Sequence, residues 1–213
     1  MVIIAAISNF QIHSQYFTGI KFGPNLSAIQ EGKNLYVTNS IESNCRLGIS
    51  SEIFLKSVLT ERLSYSIEMG YEILNNKSRI DYSTKFYYLF ENGKYRFNVI
   101  TLKFIPKFKI IKAINLELET GIFYKKLINA NFNGTYNSDY INKSINEEIN
   151  WLDAGFLVGL INIQQIKGEI AFYSEINYQL SLENSSYNSL PFKNWVIAIN
   201  IGIVYKLTSK KKN

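Results

Sequence analysis

The residues of this chain most able to do chemistry are carboxylates. Glu52, Glu68, Glu72, Glu117, Glu119, Asp153, Glu169 and Glu175 share one face of alternating segments with the cations Lys21, Arg46, Arg62, Lys103 and Lys206. Such a set could form a general acid and base pair, a charged path for ions, or a salt-bridged filling. No motif singles out particular carboxylates for the first two uses, so the third is the reading adopted. Histidine-based mechanisms have little to work with, because His13 is the sole histidine and falls in an expected leader. The sole cysteine, Cys45, lies far from it and gives neither a disulfide nor a metal-ligand constellation. Gly19-Ile20-Lys21-Phe22-Gly23 lacks the spacing and following helix of a phosphate loop. No catalytic, cofactor-binding or metal-binding residue is nominated, no cofactor is expected, and the chain is read as no enzyme.

What must position these charges is a series of strands. From Leu63 to Ile73 the chain alternates strictly, with Leu63, Tyr65, Ile67, Met69, Tyr71 and Ile73 on one face and Ser64, Ser66, Glu68, Gly70 and Glu72 on the other. Seven other segments follow suit: Tyr16 to Gly23, Cys45 to Leu55, Phe97 to Pro106, Ile114 to Lys125, Trp151 to Ile161, Glu169 to Ser181 and Trp195 to Leu207. The outer face of Cys45 to Leu55 takes in the cysteine as a small apolar residue. The fourth is the least regular, with Thr101 and Lys103 alone marking an inner side. The last has isoleucines flanked by Trp195 and Tyr205, as a strand crossing between two headgroup layers would.

One apolar and one charged face, repeated eight times with no run of 18 to 20 apolar residues, predicts an all-β, eight-stranded antiparallel up-and-down transmembrane β-barrel with a polar filled interior. The connections alternate in length, predicting short periplasmic turns at Lys56 to Glu61, Lys107 to Ala113 and Asn162 to Gly168. Long extracellular loops are expected at Pro24 to Asn44, Leu74 to Lys94, Lys126 to Asn150 and Leu182 to Asn194. Asn92-Gly93 and Asn133-Gly134 suit turns within those loops. The basic and aromatic cluster Lys85, Phe86, Tyr87, Tyr88 and Phe90 is read as a strand extension above the membrane rather than a ligand site.

Residues 1–14 combine a short apolar core with a small residue before Gln15 and read as a signal peptide cut after Ser14, although no Lys or Arg precedes the apolar run. A first strand is the alternative, and the segment has no period-two pattern to support it. Residues 15–207 form the barrel domain, and 208–213 a basic tail. Of the net charge of +6, three come from Lys210, Lys211 and Lys212, so the excess is no dense patch and nucleic acid is not an expected partner.

Three segments resemble the small outer-membrane β-barrel proteins common in Bacteroidetes, the PorT-like family. Phe17-Thr18-Gly19-Ile20-Lys21-Phe22-Gly23-Pro24-Asn25-Leu26-Ser27 looks like that family's opening GIKGGLNLS strand. Glu68-Met69-Gly70-Tyr71 and the closing Ile201 to Leu207 are similar in order and spacing. The family's EIP in the fourth strand is only echoed by Val99-Ile100-Thr101, and Lys210 to Lys212 run past its usual end. The resemblance implies a bacterial outer-membrane location and no common enzymatic activity.

Two function classes follow. One is a non-enzymatic membrane platform, embedded in outer-membrane lipid as a monomer, whose loops bind an extracellular ligand or an envelope or secretion protein. The other is a narrow channel for small solutes through a charged lumen. A soluble lipocalin-type barrel would require the opposite polarity, apolar within and charged without.

Overall fold

The computed structural model describes residues 15–31, 39–84, 87–136, 139–151, 153–182, 185–187 and 190–207. The expected signal segment, the basic tail, Lys85, Phe86 and Leu152 lie outside them. Eight long strands form a ring: β1 (Gln15–Glu31), β2 (Asn39–Val58), β3 (Leu63–Thr84), β4 (Tyr87–Ile111), β5 (Leu116–Tyr136), β8 (Asp153–Lys167), β9 (Ile170–Ser181) and β11 (Leu190–Leu207). Three short strands, β6 (Asp139–Ser144), β7 (Ile149–Asn150) and β10 (Ser185–Tyr187), lie at one end with a single 3-10 turn, Asn146–Glu148. Every neighbouring pair in the ring is antiparallel, and β1 returns to β11 from Tyr16↔Leu207 to Glu31↔Phe192. Closure pairs the backbone groups that an open edge would leave bare, which a membrane requires.

Alternation decides which side faces out. Leu47 is 66% exposed and Ile201 44%, whereas Lys21 between Ile20 and Phe22 is 0% exposed. Ile20, Phe22, Ile49, Ile53, Ile67, Met69, Leu102, Phe104, Ile122, Phe156, Val158, Ile176, Ile199 and Ile203 continue the exposed belt around the ring. So much contiguous apolar surface is incompatible with water and fits hydrocarbon. Tyr16, Tyr65 and Tyr205 edge the belt at the short-turn end, and Tyr71, Tyr124, Tyr178 and Trp195 edge it at the other. Tyr178 and Trp195 are in ring contact across β9 and β11, with centroids 6.4 Å apart.

The short connections are tighter than expected, spanning residues 59–62, 112–115 and 168–169. Each has local chemistry that stops a strand. Thr60 Oγ1 accepts from the Leu63 amide at 3.0 Å, Asn115 takes φ 48° and Gly168 φ 58°. The left-handed backbone is tolerated by Asn and Gly. In the first turn Lys112 bonds Glu61 from across the rim at 2.6 Å. That hydrogen bond, then the ammonium charge, hold the exposed Glu61 carboxyl below its ordinary range.

At the opposite end the expected loops are largely sheet. Strands β3 and β4 stay paired from Leu63↔Phe108 to Thr84↔Tyr87, which makes 74–84 and 87–94 strand extensions. Asn92-Gly93 and Asn133-Gly134 are not turns: Gly93 faces Gly134 across the β4–β5 ladder. A Cβ on Gly93 would meet the Phe132 ring at 2.5 Å, so glycine there admits the ring. These extensions carry polar residues on their outer face, so the outward apolar period fades while the backbone ladder continues.

Candidate functional site

Inside the belt, seven carboxyl side chains and five lysines are buried. Most of them join into one chain of alternating sign. Lys107 lies 3.8 Å from Glu119 and 2.9 Å from Glu68. Glu68 meets Lys21 at 2.6 Å, and Lys21 also reaches Glu175 at 2.5 Å and Glu52 at 3.5 Å. The chain goes on through Lys103, 2.8 Å from Glu52 and 3.4 Å from Glu72, to Lys125, 2.9 Å from Glu72. Below it, Lys56 holds Glu117 at 2.5 Å. Glycines make room for these long side chains: a Cβ on Gly70 would meet Glu52 Cγ at 2.4 Å.

Neutral donors add to the ion pairs, although both Glu119 oxygens accept no hydrogen bond among the described residues. Tyr173 OH donates to Glu175 at 2.5 Å and Ser66 Oγ to Glu68 at 2.6 Å. The amides of Asn177 and Asn200 also bond Glu175, while Ser181 and Asn194 hold Asp153. Lys21 stands 5.5 Å from the centroid of the Tyr173 ring, and Lys107 5.7 Å from that of Phe54, distances at which a ring quadrupole attracts a cation. Buried charges persist only when paired and bonded in this way.

Apolar side chains close the bore on both sides of the charges. Toward the short turns, Phe54, Ile161, Ala171, Tyr173 and Val204 pack together, with Phe17 and Ile163 against them. Toward the other end, residues 145–151 turn inward. Ile145 and Ile149 join Leu74, Tyr95, Phe97, Val99, Ala130, Phe132 and Val196, and the Trp151 ring lies 5.1 Å from that of Phe97. Asn146 accepts from the Ala130 amide at 2.5 Å, and the Trp151 indole donates to the Lys125 carbonyl at 3.2 Å, which pins the lid to β5. At the short-turn end a vestibule of about 620 Å³ is left open, lined by Phe17, Lys56, Glu61, Lys109, Lys112 and Glu117 among others.

The structure brings together Glu52, Glu68, Glu72, Lys103, Glu117, Glu119, Asp153 and Glu175 in the bore. Lys21 joins them there, whereas Arg46, Arg62, Glu169 and Lys206 do not, Lys206 being only half-buried near the end of β11. Arg62 is exposed in the 59–62 turn, because β3 begins only at Leu63. Glu169 sits in the 168–169 turn, where its carbonyl accepts from the Lys206 amide. Arg46 is half-buried beside a β2 bulge between Cys45 and Ile49, toward the long-extension end. Lys56 and Lys107, expected in turns, lie on strands that run on past them. Their parity with Glu52 and Lys103 was the signal for an interior position. Lys125 lies on the inner face of its segment, as its alternation predicts, and joins the network beyond the residues expected there. Among the described residues, no group of three or more His, Cys, Asp or Glu is arranged to hold a metal ion.

A closed ring of eight strands with its apolar side out is the architecture of outer-membrane barrels. OprG from Pseudomonas aeruginosa superposes on this chain with a TM-score of 0.51 at 12% identity, covering 94% of this chain and 100% of OprG. The chain has an outer-membrane barrel fold. Neisserial surface protein A gives a TM-score of 0.46 at 9% identity over 90% of this chain and 97% of its own, and Ail of Yersinia pestis gives 0.39 at 12% over 90% and 98%. No protein-family model and no curated protein matches the sequence.

Proposed function

We propose that this protein is a non-enzymatic, sealed barrel of a bacterial outer membrane, a rigid platform whose extracellular strand extensions do the recognising. The observation that carries this reading is the filling of the bore. Lys21, Lys103, Lys107, Lys125, Tyr173, Phe97 and Phe132 are each less than 2% exposed, and Ile145, Ile149 and Trp151 close the end above them. An eight-stranded ring is just wide enough to be filled by side chains. Packing of this kind supports a platform over a pore. The extensions of β3, β4 and β5 beyond the belt supply the outer surface for an extracellular ligand or an envelope or secretion partner. No surface among the described strands calls for a second copy, and the barrel acts as a monomer. The resemblance of Phe17 to Ser27 and of Ile201 to Leu207 to PorT-like Bacteroidetes proteins supports an envelope role of this type.

The second reading, a narrow channel, is favoured by one observation, the charged bore itself. Buried carboxyl groups outnumber buried lysines seven to five, so a conducting form would prefer cations. Purified protein in planar bilayers separates the two. The platform gives no single-channel steps, and reproducible cation-selective steps from the wild-type protein overturn it.

A further inference from the structure

Above the apolar belt, on the long-extension side, the outer wall holds a concavity of about 1050 Å³. It crosses β1 to β6 along the registers Leu26↔Leu47, Lys77↔Lys94, Arg96↔Asn131 and Asn133↔Asn142. Its lining contains Arg46, Lys77, Lys94 and Arg96, six asparagines and no carboxylate. Lys94 and Arg96 are exposed on either side of the buried Tyr95, so they face away from the bore. Among the described residues none of the four cations has a carboxylate partner, in contrast to the buried lysines of the bore. Lys77, Lys94 and Arg96 share the outward face, whereas Arg46 pairs with the buried Ser27 at the edge of the seam; three uncompensated cations on one wall favour an anion.

The wall is built as well as charged. The extra β2 residue between Cys45 and Ile49 interrupts the ladder to β3 there, and side chains bridge it: Asn75 Nδ2 donates to the Leu47 carbonyl at 2.7 Å and Ser27 Oγ to the Asn75 carbonyl at 2.9 Å. Beside this seam Asn76 lines the concavity. It is 1% exposed, and both its side-chain nitrogen and oxygen lack a hydrogen-bond partner. Asn76 pairs with the inward Tyr95 across the β3–β4 ladder, so this unpartnered amide lies on the bore side of the wall. At the lower edge Leu26 and Leu47 are outward-facing members of the belt, so hydrocarbon and cations meet in one site.

We propose that this concavity binds the phosphorylated sugar headgroup of an outer-leaflet glycolipid. Guanidinium and ammonium groups take phosphate through charge-assisted hydrogen bonds. The asparagine amides present donors and acceptors suited to sugar hydroxyls. Leu26 and Leu47 lie where the acyl chains descend. The inference rests on the platform reading and names the class of molecule that the extensions recognise.

The test uses the full-length detergent-purified barrel and bisphosphorylated lipid A, read by native mass spectrometry and by intrinsic fluorescence titration. Wild-type protein retains lipid A, and Lys77→Ala/Lys94→Ala/Arg96→Ala weakens it by at least about tenfold, since the loss of even one charge-assisted bond is worth about one decade. Removing both phosphates from lipid A weakens binding to a similar extent. Lys109→Ala/Lys112→Ala at the opposite rim leaves it unchanged. Heat-modifiable gel mobility confirms that each variant is folded, and Lys94→Glu gives a second, single-site reading. Equal retention by wild-type and triple variant overturns the proposal. So does binding of soluble glucose 1,6-bisphosphate as tight as that of lipid A, which assigns the site to free sugar phosphates. A silent barrel that fails to retain lipid A removes this inference alone, whereas conductance steps remove the platform reading.

Discussion

Lys21→Met unfolds at much lower urea than the wild-type barrel, with a loss of about 3–5 kcal/mol, the range expected when one partner of a buried ion pair is removed. Methionine fills much the same volume, so the effect is electrostatic rather than a cavity. The lysine ammonium touches Glu68 at 2.6 Å, Glu175 at 2.5 Å and Glu52 at 3.5 Å with no water access. After its removal Glu68 still has Lys107 and Ser66, and Glu175 still has Tyr173 and two asparagines. Glu52 keeps Lys103 alone. Adding Glu52→Gln to Lys21→Met therefore returns part of the loss, a coupling that a double-mutant cycle measures. Unfolding of Lys21→Met in lipid vesicles at the wild-type urea midpoint would show that the network contributes nothing to stability.

Ile201→Arg destabilises the barrel by about 2–4 kcal/mol, as a cation on the lipid face near the bilayer midplane does. Ile201 is 44% exposed and lies midway between Tyr205 and Ile197 on β11, the strand that closes the ring onto β1. Tyr205→Arg, close to the short-turn rim, costs only about 0–1 kcal/mol because the arginine reaches the interface. The comparison is made by urea titration in vesicles of one lipid. Equal costs at the two positions would place the belt at a different depth, and a negligible cost at Ile201 would remove it from hydrocarbon.

The eight-stranded ring and its polarity were legible because a membrane barrel writes its environment at period two. Ile197, Ile199, Ile201 and Ile203 alternate with Ala198, Asn200 and Gly202, and that pattern survives any uncertainty about strand ends. Charged positions well inside a strand, such as Glu68 and Glu175, were legible for the same reason. Positions near strand ends were not. Arg62 and Glu169 share the parity of the inner face but fall in turns, while Lys56 and Lys107 border the expected turns yet sit on ladders that continue past them. Backbone hydrogen bonding decides where a strand ends, and the side-chain pattern reports it poorly. The lid formed by Ile145, Ile149 and Trp151 was hidden by the asparagines and glutamates between them. Three apolar residues spread over seven positions do not form a strand or helix period, and only the inward turn of residues 145–151 shows what they cover.

The central claim is that isoleucines of β11 face lipid while the residues between them face a sealed bore. Single cysteines at Ile201→Cys and Asn200→Cys in a Cys45→Ser background, reconstituted in vesicles with acyl-brominated lipid, test it most directly. A fluorophore on Ile201→Cys is quenched by the bromines and shielded from aqueous iodide, while Asn200→Cys in the folded barrel resists a membrane-impermeant maleimide. Lipid quenching at position 200, together with aqueous access at position 201, would contradict the account.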